Sequence, residues 1–348
     1  MKLIEKIKSV FYSNFVAMNF PFIPQLSSRY SFILDDIKSL FNYYFLIKRG
    51  EFDISSFRLG IFSTTFCNAN CVFCGSQYFK DKRATMPFNI FKKAVDEYIS
   101  LGGKSVGLTP SPGEVLLDPD FFKKLAYLNK NKLETGLYTN AILFDKYAEE
   151  LTKNKVDNLF IDLGDVVPEK DAEIFRIPVE TSKKRIKGIL NFLEVIDKRG
   201  IKMNLEISFR PQRSPKRIFN DMKKTKFWEY FKKGLFRIAF LQCYDNWCGL
   251  ISKKNLLGIQ KLKISPKIKK YPCSSLSSIA VLPNGDIRLC GCRYFNTLQD
   301  ELVIGNIENN SLKEIINSDK CKKIIAGFKH GKIPFACKKC SFYRPEIN

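Results

Sequence analysis

The sequence predicts an α/β protein, a partial (β/α)6 barrel followed by a small cysteine-rich C-terminal extension that contains a β-hairpin. Three observations carry that expectation. Between residues 59 and 241, six strand-like runs alternate with segments of helical length. Late in the chain, Pro283-Asn284-Gly285-Asp286 separates two short apolar runs. Eleven cysteines fall largely into two clusters, one just past the first strand-like run and one near the end.

Composition sets the outer limits. With 348 residues, 45% of them apolar, the chain can bury a full core and is not globally disordered. That length suggests two or three domains. No run of about 18 uncharged apolar residues occurs, so a spanning helix is not expected. Lys+Arg exceed Asp+Glu by 58 to 35, a formal charge of +23. Lysine outnumbers arginine 44 to 14, however, and arginine is the side chain that reads bases bidentately. A lysine-coated surface is therefore the first reading of the charge, and a basic funnel for an anionic substrate the second. His330 is the single histidine, which argues against Ser-His-Asp catalysis and histidine-rich zinc or di-iron sites. An odd number of cysteines in a long chain does not suit an oxidised framework. Reduced, metal-bound thiolates in a cytoplasmic protein are expected instead.

Four segments follow in order. Residues 1–58 carry thirteen aromatics and read as a helical cap. Leu3, Ile7, Val10 and Phe11 share one face of a helix with lysines elsewhere on the turn, so residues 1–20 either cap the barrel or touch an anionic membrane surface. Lys2, Lys6 and Lys8 before an apolar run imitate a signal peptide, but no small-residue cleavage site follows, and the segment is expected to be retained. Residues 59–241 form the barrel, with strands at Leu59–Thr65, Lys104–Thr109, Lys132–Thr139, Val156–Leu163, Ile201–Phe209 and Leu235–Leu241. Helices are expected at Phe88–Leu101, Pro119–Lys130, Phe144–Lys153, Ser182–Arg199 and Pro215–Lys232. Such alternation implies right-handed βαβ units with ligands at the carboxyl ends of the strands. Residues 242–272 form a bridge whose stretch Lys253 to Lys270, with seven lysines and no acid, reads as a solvated linker. Residues 273–348 hold a hairpin on an Asn-Gly turn, a short helix at Ser311–Ser318 and little core, so a metal staple is expected.

The first cluster reads Cys67-Asn-Ala-Asn-Cys71-Val-Phe-Cys74-Gly75. Three thiols at spacings of four and three can converge on one cubane cluster and leave one iron unclaimed, whereas structural zinc takes four closed ligands. Three buried cysteines without a metal are the competing reading. CxxxCxxC with an aromatic, Phe73, before the last cysteine, after the first strand of a partial barrel, resembles the radical S-adenosylmethionine (SAM) enzymes. That resemblance implies a 4Fe-4S cluster on Cys67, Cys71 and Cys74 whose open iron is chelated by the amino and carboxylate groups of SAM. It also implies reductive cleavage of SAM to a 5′-deoxyadenosyl radical that abstracts hydrogen from a substrate. Gly113 and Glu114 match part of the family's Gly-Gly-Glu-Pro segment after strand two, and Thr139 and Asn140 stand where a polar pair approaches the cofactor. Asp162 ends strand four, where the family often has serine, and is the candidate catalytic or substrate-binding acid. Each of these also suits an ordinary loop or cap residue.

The second cluster, Cys273, Gly285, Cys290 and Cys337-x-x-Cys340, resembles the SPASM/twitch extension of the same enzymes. The resemblance implies one auxiliary 4Fe-4S cluster on those four cysteines, and a zinc ribbon competes with it. Cys243, Cys248, Cys292 and Cys321 read as small buried side chains, with Cys292 and then Cys248 as substitute ligands. The expected function is that of a radical SAM enzyme acting on a small, anionic or carbohydrate-type substrate, lipid-linked if residues 1–20 touch a membrane. Its auxiliary cluster would assist oxidation or bind substrate, and a flavodoxin or ferredoxin would supply electrons. A peptide- or tRNA-modifying radical SAM enzyme and a zinc-stapled nucleic-acid-binding protein are the alternatives.

Overall fold

The computed structural model describes residues 58–78, 82–108, 112–269, 273–291 and 300–343. The expected N-terminal cap, its helix at 1–20 and Cys292 lie outside them. Six strands run parallel: β1 Arg58–Ile61, β2 Ser105–Leu108, β3 Glu134–Thr139, β4 Asn158–Leu163, β5 Asn204–Phe209 and β6 Arg237–Phe240. Between them lie α1 Phe88–Ser100, α2 Phe121–Lys130, α3 Phe144–Lys153, α4 Pro168–Phe175, α5 Val179–Arg199, α6 Pro215–Met222 and α7 Lys226–Lys232. Strand interiors such as Val106, Leu108, Ile161, Leu163, Ile207 and Phe209 are almost fully buried, as strands covered by crossover helices must be.

Two helical expectations are corrected. Helix α4 went unforeseen: it opens with Pro168 in its first turn and closes on Arg176 in the left-handed region at φ 51°. The expected single helix at 215–232 is two, because Thr225 takes an extended conformation (φ −123°, ψ 164°) and starts α7 anew. The break lets Phe227, Tyr230 and Phe231 reach the core.

The bridge is only partly a solvated linker. It pairs two short strands, β7 Cys243–Tyr244 and β8 Lys261–Leu262, and leaves Ile264 and Ile268 91% and 70% exposed. Lys269, however, is turned inward at 5% exposure, which overturns the solvated reading at that end.

The C-terminal segment continues the main sheet. Strands β9 Ile279–Val281, β10 Asp286–Leu289 and β11 Val303–Asn306 extend it in the order β11-β10-β9-β1-β2-β3-β4-β5-β6, with β9 parallel to β1. The hairpin turns at Gly285, whose φ of 84° suits glycine. Helices α8 Leu312–Ile316, α9 Asp319–Gly327 and α10 Phe335–Lys339 complete it. Ile279, Val281, Ile287, Leu289 and Leu312 join the same apolar core as the barrel strands. Scarcity of apolar residues in this segment is thus met by sharing a core. Among the described residues, no helix is long and apolar enough to cross a membrane.

Candidate active site and metal centres

The loop that carries Cys67, Cys71 and Cys74 leaves the carboxyl end of β1. Its backbone is pinned to the end of α4 by Asn70 N donating to Phe175 O (3.0 Å) and Val72 N to Ile174 O (2.9 Å). Gln77 Nε2 donates to the carbonyls of Cys71, Val72 and Cys74 at 3.2, 3.4 and 2.9 Å. Arg83 ties the loop's base through Thr65 O (2.7 Å) and Ser76 O (2.9 Å). All three cysteines are free thiols and partly exposed. Burial pushes Cys67 up to about 11, and burial with the repulsion of Cys74 and Cys67 pushes Cys71 well above the ordinary thiol range. With burial opposing thiolates at Cys67 and Cys71, this loop would bind as thiolates only beside added positive charge, as iron supplies. The donor set therefore fits a cluster.

Glu114, in the loop after β2, meets Thr139 and Asn140, at the end of β3, beside this loop. Glu114 is buried and accepts from Thr139 Oγ1 (2.7 Å), Asn140 N (2.8 Å) and Leu116 N (3.3 Å). Asn140 Nδ2 donates to Asn68 Oδ1 at 2.9 Å and lies 4.0 Å from Cys67 Sγ. Gly113 holds φ 132°, and a Cβ there would sit 2.2 Å from Thr64 O. The close approach of two backbones therefore requires glycine. Glu114 ties the loop after β2 to the end of β3 through Thr139, and Asn140 reaches the cysteine loop.

Burial, only partly offset by the Asn140 and Thr139 hydrogen bonds, pushes Glu114 up to about 7. The folded protein thus holds this proton more tightly than the unfolded chain. Stability falls as pH rises from the ordinary carboxylate range through 7, by up to about 3 kcal/mol. Urea unfolding from about pH 5.5 to 8 is expected to show that slope, and Glu114→Gln is expected to flatten it. An equal slope in both proteins would refute the assignment.

Asp162, at the carboxyl end of β4, is gripped by Arg210, one residue beyond β5. Arg210 Nε and Nη2 donate to its two carboxylate oxygens at 2.9 and 3.1 Å. The same guanidinium lies 5.0 Å from the centre of the Phe73 ring and 5.9 Å from that of Tyr244, and those rings stack at 5.1 Å. Phe73 itself is packed among Val72, Phe175 and Tyr244. The Tyr244 hydroxyl is buried without a hydrogen bond of good geometry. Behind them, Arg185 is wholly buried. Its Nη1 donates to both oxygens of Asp171 at 2.8 Å, its Nε to Asn140 O at 2.5 Å and its Nη2 to Asp162 O. One side chain so positions two of the sequence-derived site residues. The sequence reading missed Arg210, Tyr244 and Arg185. Arg210 carried a usable signal, being a charged residue at a strand's carboxyl end.

The C-terminal thiols also assemble. Cys337 feels the charges of Cys290, Cys273 and Cys340, and burial first and then these neighbours push it above the ordinary thiol range. Lys269 Nζ donates to the carbonyls of Cys337, Lys338 and Cys340 at 2.5, 3.0 and 2.7 Å. Buried Arg288 pairs with Asp300 (2.6 Å) and donates to Cys290 O. Four cysteines in one neighbourhood, with Lys269 and the Asp300-paired Arg288 buried beside them, suit an anionic, thiolate-ligated cluster. Cys321 lies apart in the apolar core and Cys243 is exposed. Cys248 is buried, as expected, on the side of Cys340 and Cys290, whereas the buried reading is corrected for Cys243, which is exposed on the short strand β7.

An open parallel half-barrel with a three-cysteine loop after its first strand, joined to a second thiol cluster, defines the radical SAM class with an auxiliary cluster domain. Residues 61–216 match the model of the radical SAM superfamily, and residues 273–341 that of the SPASM iron-sulfur cluster-binding domain. The chain belongs to the radical SAM enzymes and carries a SPASM-type C-terminal domain. Its cofactors are accordingly 4Fe-4S clusters and SAM, and enzymes of this class require a reductant. It is 27% identical over 223 residues to GTP 3′,8-cyclase of Synechocystis sp., covering 63% of this chain and 64% of that protein. The chain thus spans just under two thirds of that relative. Its fold is similar to that of BtrN in complex with AdoMet and 2-DOIA (TM-score 0.52, 16% identity, 83% of this chain and 94% of that one). It is also similar to Streptococcus suis SuiB bound to precursor peptide SuiA (TM-score 0.52, 17% identity, 82% and 69%).

Proposed function

We propose that the protein reductively cleaves SAM and abstracts hydrogen from a small carbohydrate-type or anionic substrate, with the C-terminal cluster accepting an electron or binding substrate. The observation that carries this reading is the meeting of the Cys67, Cys71 and Cys74 loop with Asn140 at the carboxyl ends of β1 and β3. The cluster on that loop supplies the electron that breaks the sulfonium C–S bond when SAM is bound. Cys67, Cys71 and Cys74 hold it, and Asn140 donates toward Cys67 sulfur. Gly113 lets the chain pass close to Thr64, and Glu114 fastens its loop to the end of β3 through Thr139.

Support for a hydroxylated substrate comes from the mouth. Asp162 and Arg210 form a nearly neutral pair that offers both acceptors and donors, beside the faces of Phe73 and Tyr244. Held by Arg210, Asp162 serves as an oriented acceptor for a ribose or substrate hydroxyl. A net charge of +23 suits an acidic one-electron donor of the flavodoxin or ferredoxin type.

Anaerobic reconstitution with iron and sulfide tests the reading. About eight irons per chain and formation of 5′-deoxyadenosine under reduction are expected. Absence of that product would overturn the proposed SAM cleavage. Transfer of deuterium from labelled polyols, sugars or peptides into 5′-deoxyadenosine then separates the substrate classes.

A further inference from the structure

Four successive carbonyls, from Cys337 to Cys340, stand at the end of α10, a helix of five residues. The last carbonyls of a helix lack partners within it, and so short a helix is not stable on its own. Here the partners come from the bridge. Lys269 Nζ donates to Cys337 O at 2.5 Å, to Lys338 O at 3.0 Å and to Cys340 O at 2.7 Å. Asn246 Nδ2 donates to the remaining one, Lys339 O, at 2.8 Å. Ser265 Oγ lies 3.0 Å from Nζ and itself donates to Cys340 O at 3.0 Å.

The segment that supplies this lysine inverts the usual distribution of polarity. Ile264 and Ile268 stand in solvent while Lys269, the next residue, is buried, and Lys261, Lys263 and Lys267 of the same stretch are exposed. Burying a lysine costs side-chain entropy and desolvation, so a compensating interaction must hold it. Hydrogen bonds from a cation are the strong kind. An ammonium has three hydrogens and no acceptor, so a single atom can serve three carbonyls that converge on it.

We propose that Lys269 is the positioning residue of the auxiliary site, gathering the carbonyls of Cys337, Lys338 and Cys340 on one ammonium and so setting the turn on which the two cysteines present their sulfurs. The inference deepens the proposed role of the C-terminal cluster and rests on the presence of that cluster, not on the identity of the substrate. The same ammonium puts a positive charge beside an anionic cluster. Reduction adds one electron and no proton, so the cluster becomes more negative, and a cation nearby favours the reduced form. Lys269 thus acts in two separable ways, through the aim of its three donors and through its charge.

The test compares Lys269→Met and Lys269→Arg with the parent, each as the reconstituted full chain, with the auxiliary EPR signal taken as the one that SAM leaves unchanged. Lys269→Met is expected to lose that signal to an iron chelator several-fold faster, while the SAM-binding cluster is released at the parent rate. Its auxiliary midpoint should move negative by about 59 mV, a tenfold change in the one-electron equilibrium. Lys269→Arg keeps the charge, but a planar fork cannot aim three donors at one point. It should recover the midpoint and not the retention. If Lys269→Met fails to fold, Lys269→Gln, which keeps one amide donor, carries the same expectations at smaller size. Unchanged retention or an unchanged midpoint in the folded variant would overturn the proposal. Retention recovered by Lys269→Arg would do so too, as would faster loss of both clusters alike, the mark of general packing. Failure of SAM cleavage with retention and midpoint behaving as expected would strike the proposed function and leave this inference standing.

Discussion

Replacing any one of Cys67, Cys71 or Cys74 with alanine is expected to abolish 5′-deoxyadenosine formation while the C-terminal cluster remains spectroscopically intact. The reason is stoichiometric. Three thiolates hold a cubane cluster and leave one iron for the amino and carboxylate groups of SAM. With two, the cluster has no stable seat in a loop whose burial already opposes thiolate formation at Cys67 and Cys71. Iron content should fall by about four per chain. Retained cleavage in any single variant would remove that cysteine from the ligand set. The C-terminal cluster should survive, because its cysteines sit on other elements, near β9, β10 and α10.

Arg185→Met should cost about 3–5 kcal/mol of folding stability, because it strands a buried carboxylate. Asp171 is 0% exposed. Without the guanidinium it keeps only Gly164 N and Ser182 Oγ, at 2.8 and 2.7 Å. The same change frees the carbonyls of Asn140 and Asp162, so site geometry should suffer along with stability. Chemical denaturation measures the loss, and Asp171→Asn in the same chain should recover part of it. A loss below about 1 kcal/mol, the size of a surface pair, would show that the pair does not carry this load.

Much of this architecture was legible in the sequence because it is local. Period-two and helical patterns mark β1 to β6 and most helices, and Asn284-Gly285 marks the hairpin. The CxxxCxxC spacing is read directly, since a short loop confines its thiols. Contacts made across the sheet were harder to see. Arg210 and Asp162 are 48 residues apart and meet only because β4 and β5 are parallel neighbours with Asp162 opposite Ser208. Helix α4 was hidden by the loop-like run 165–167 before it and by Pro168 at its start. Lys269 was concealed by its company: in a stretch of lysines, nothing in the composition distinguishes the one that turns inward to three carbonyls.

The junction of β9 with β1 has a consequence for dissecting the protein. Leu59, Gly60 and Ile61 are paired with Ile279, Ala280 and Val281 along one side, and Phe62 is buried against Ala280 and Leu282. A barrel cut before Cys273 would therefore expose β1 as a bare sheet edge with an aromatic ring uncovered beside it. Such edges recruit strands from other molecules. The half-barrel taken alone would be a self-associating fragment, and the auxiliary segment acts, besides any redox role, as the edge guard that keeps each chain to itself.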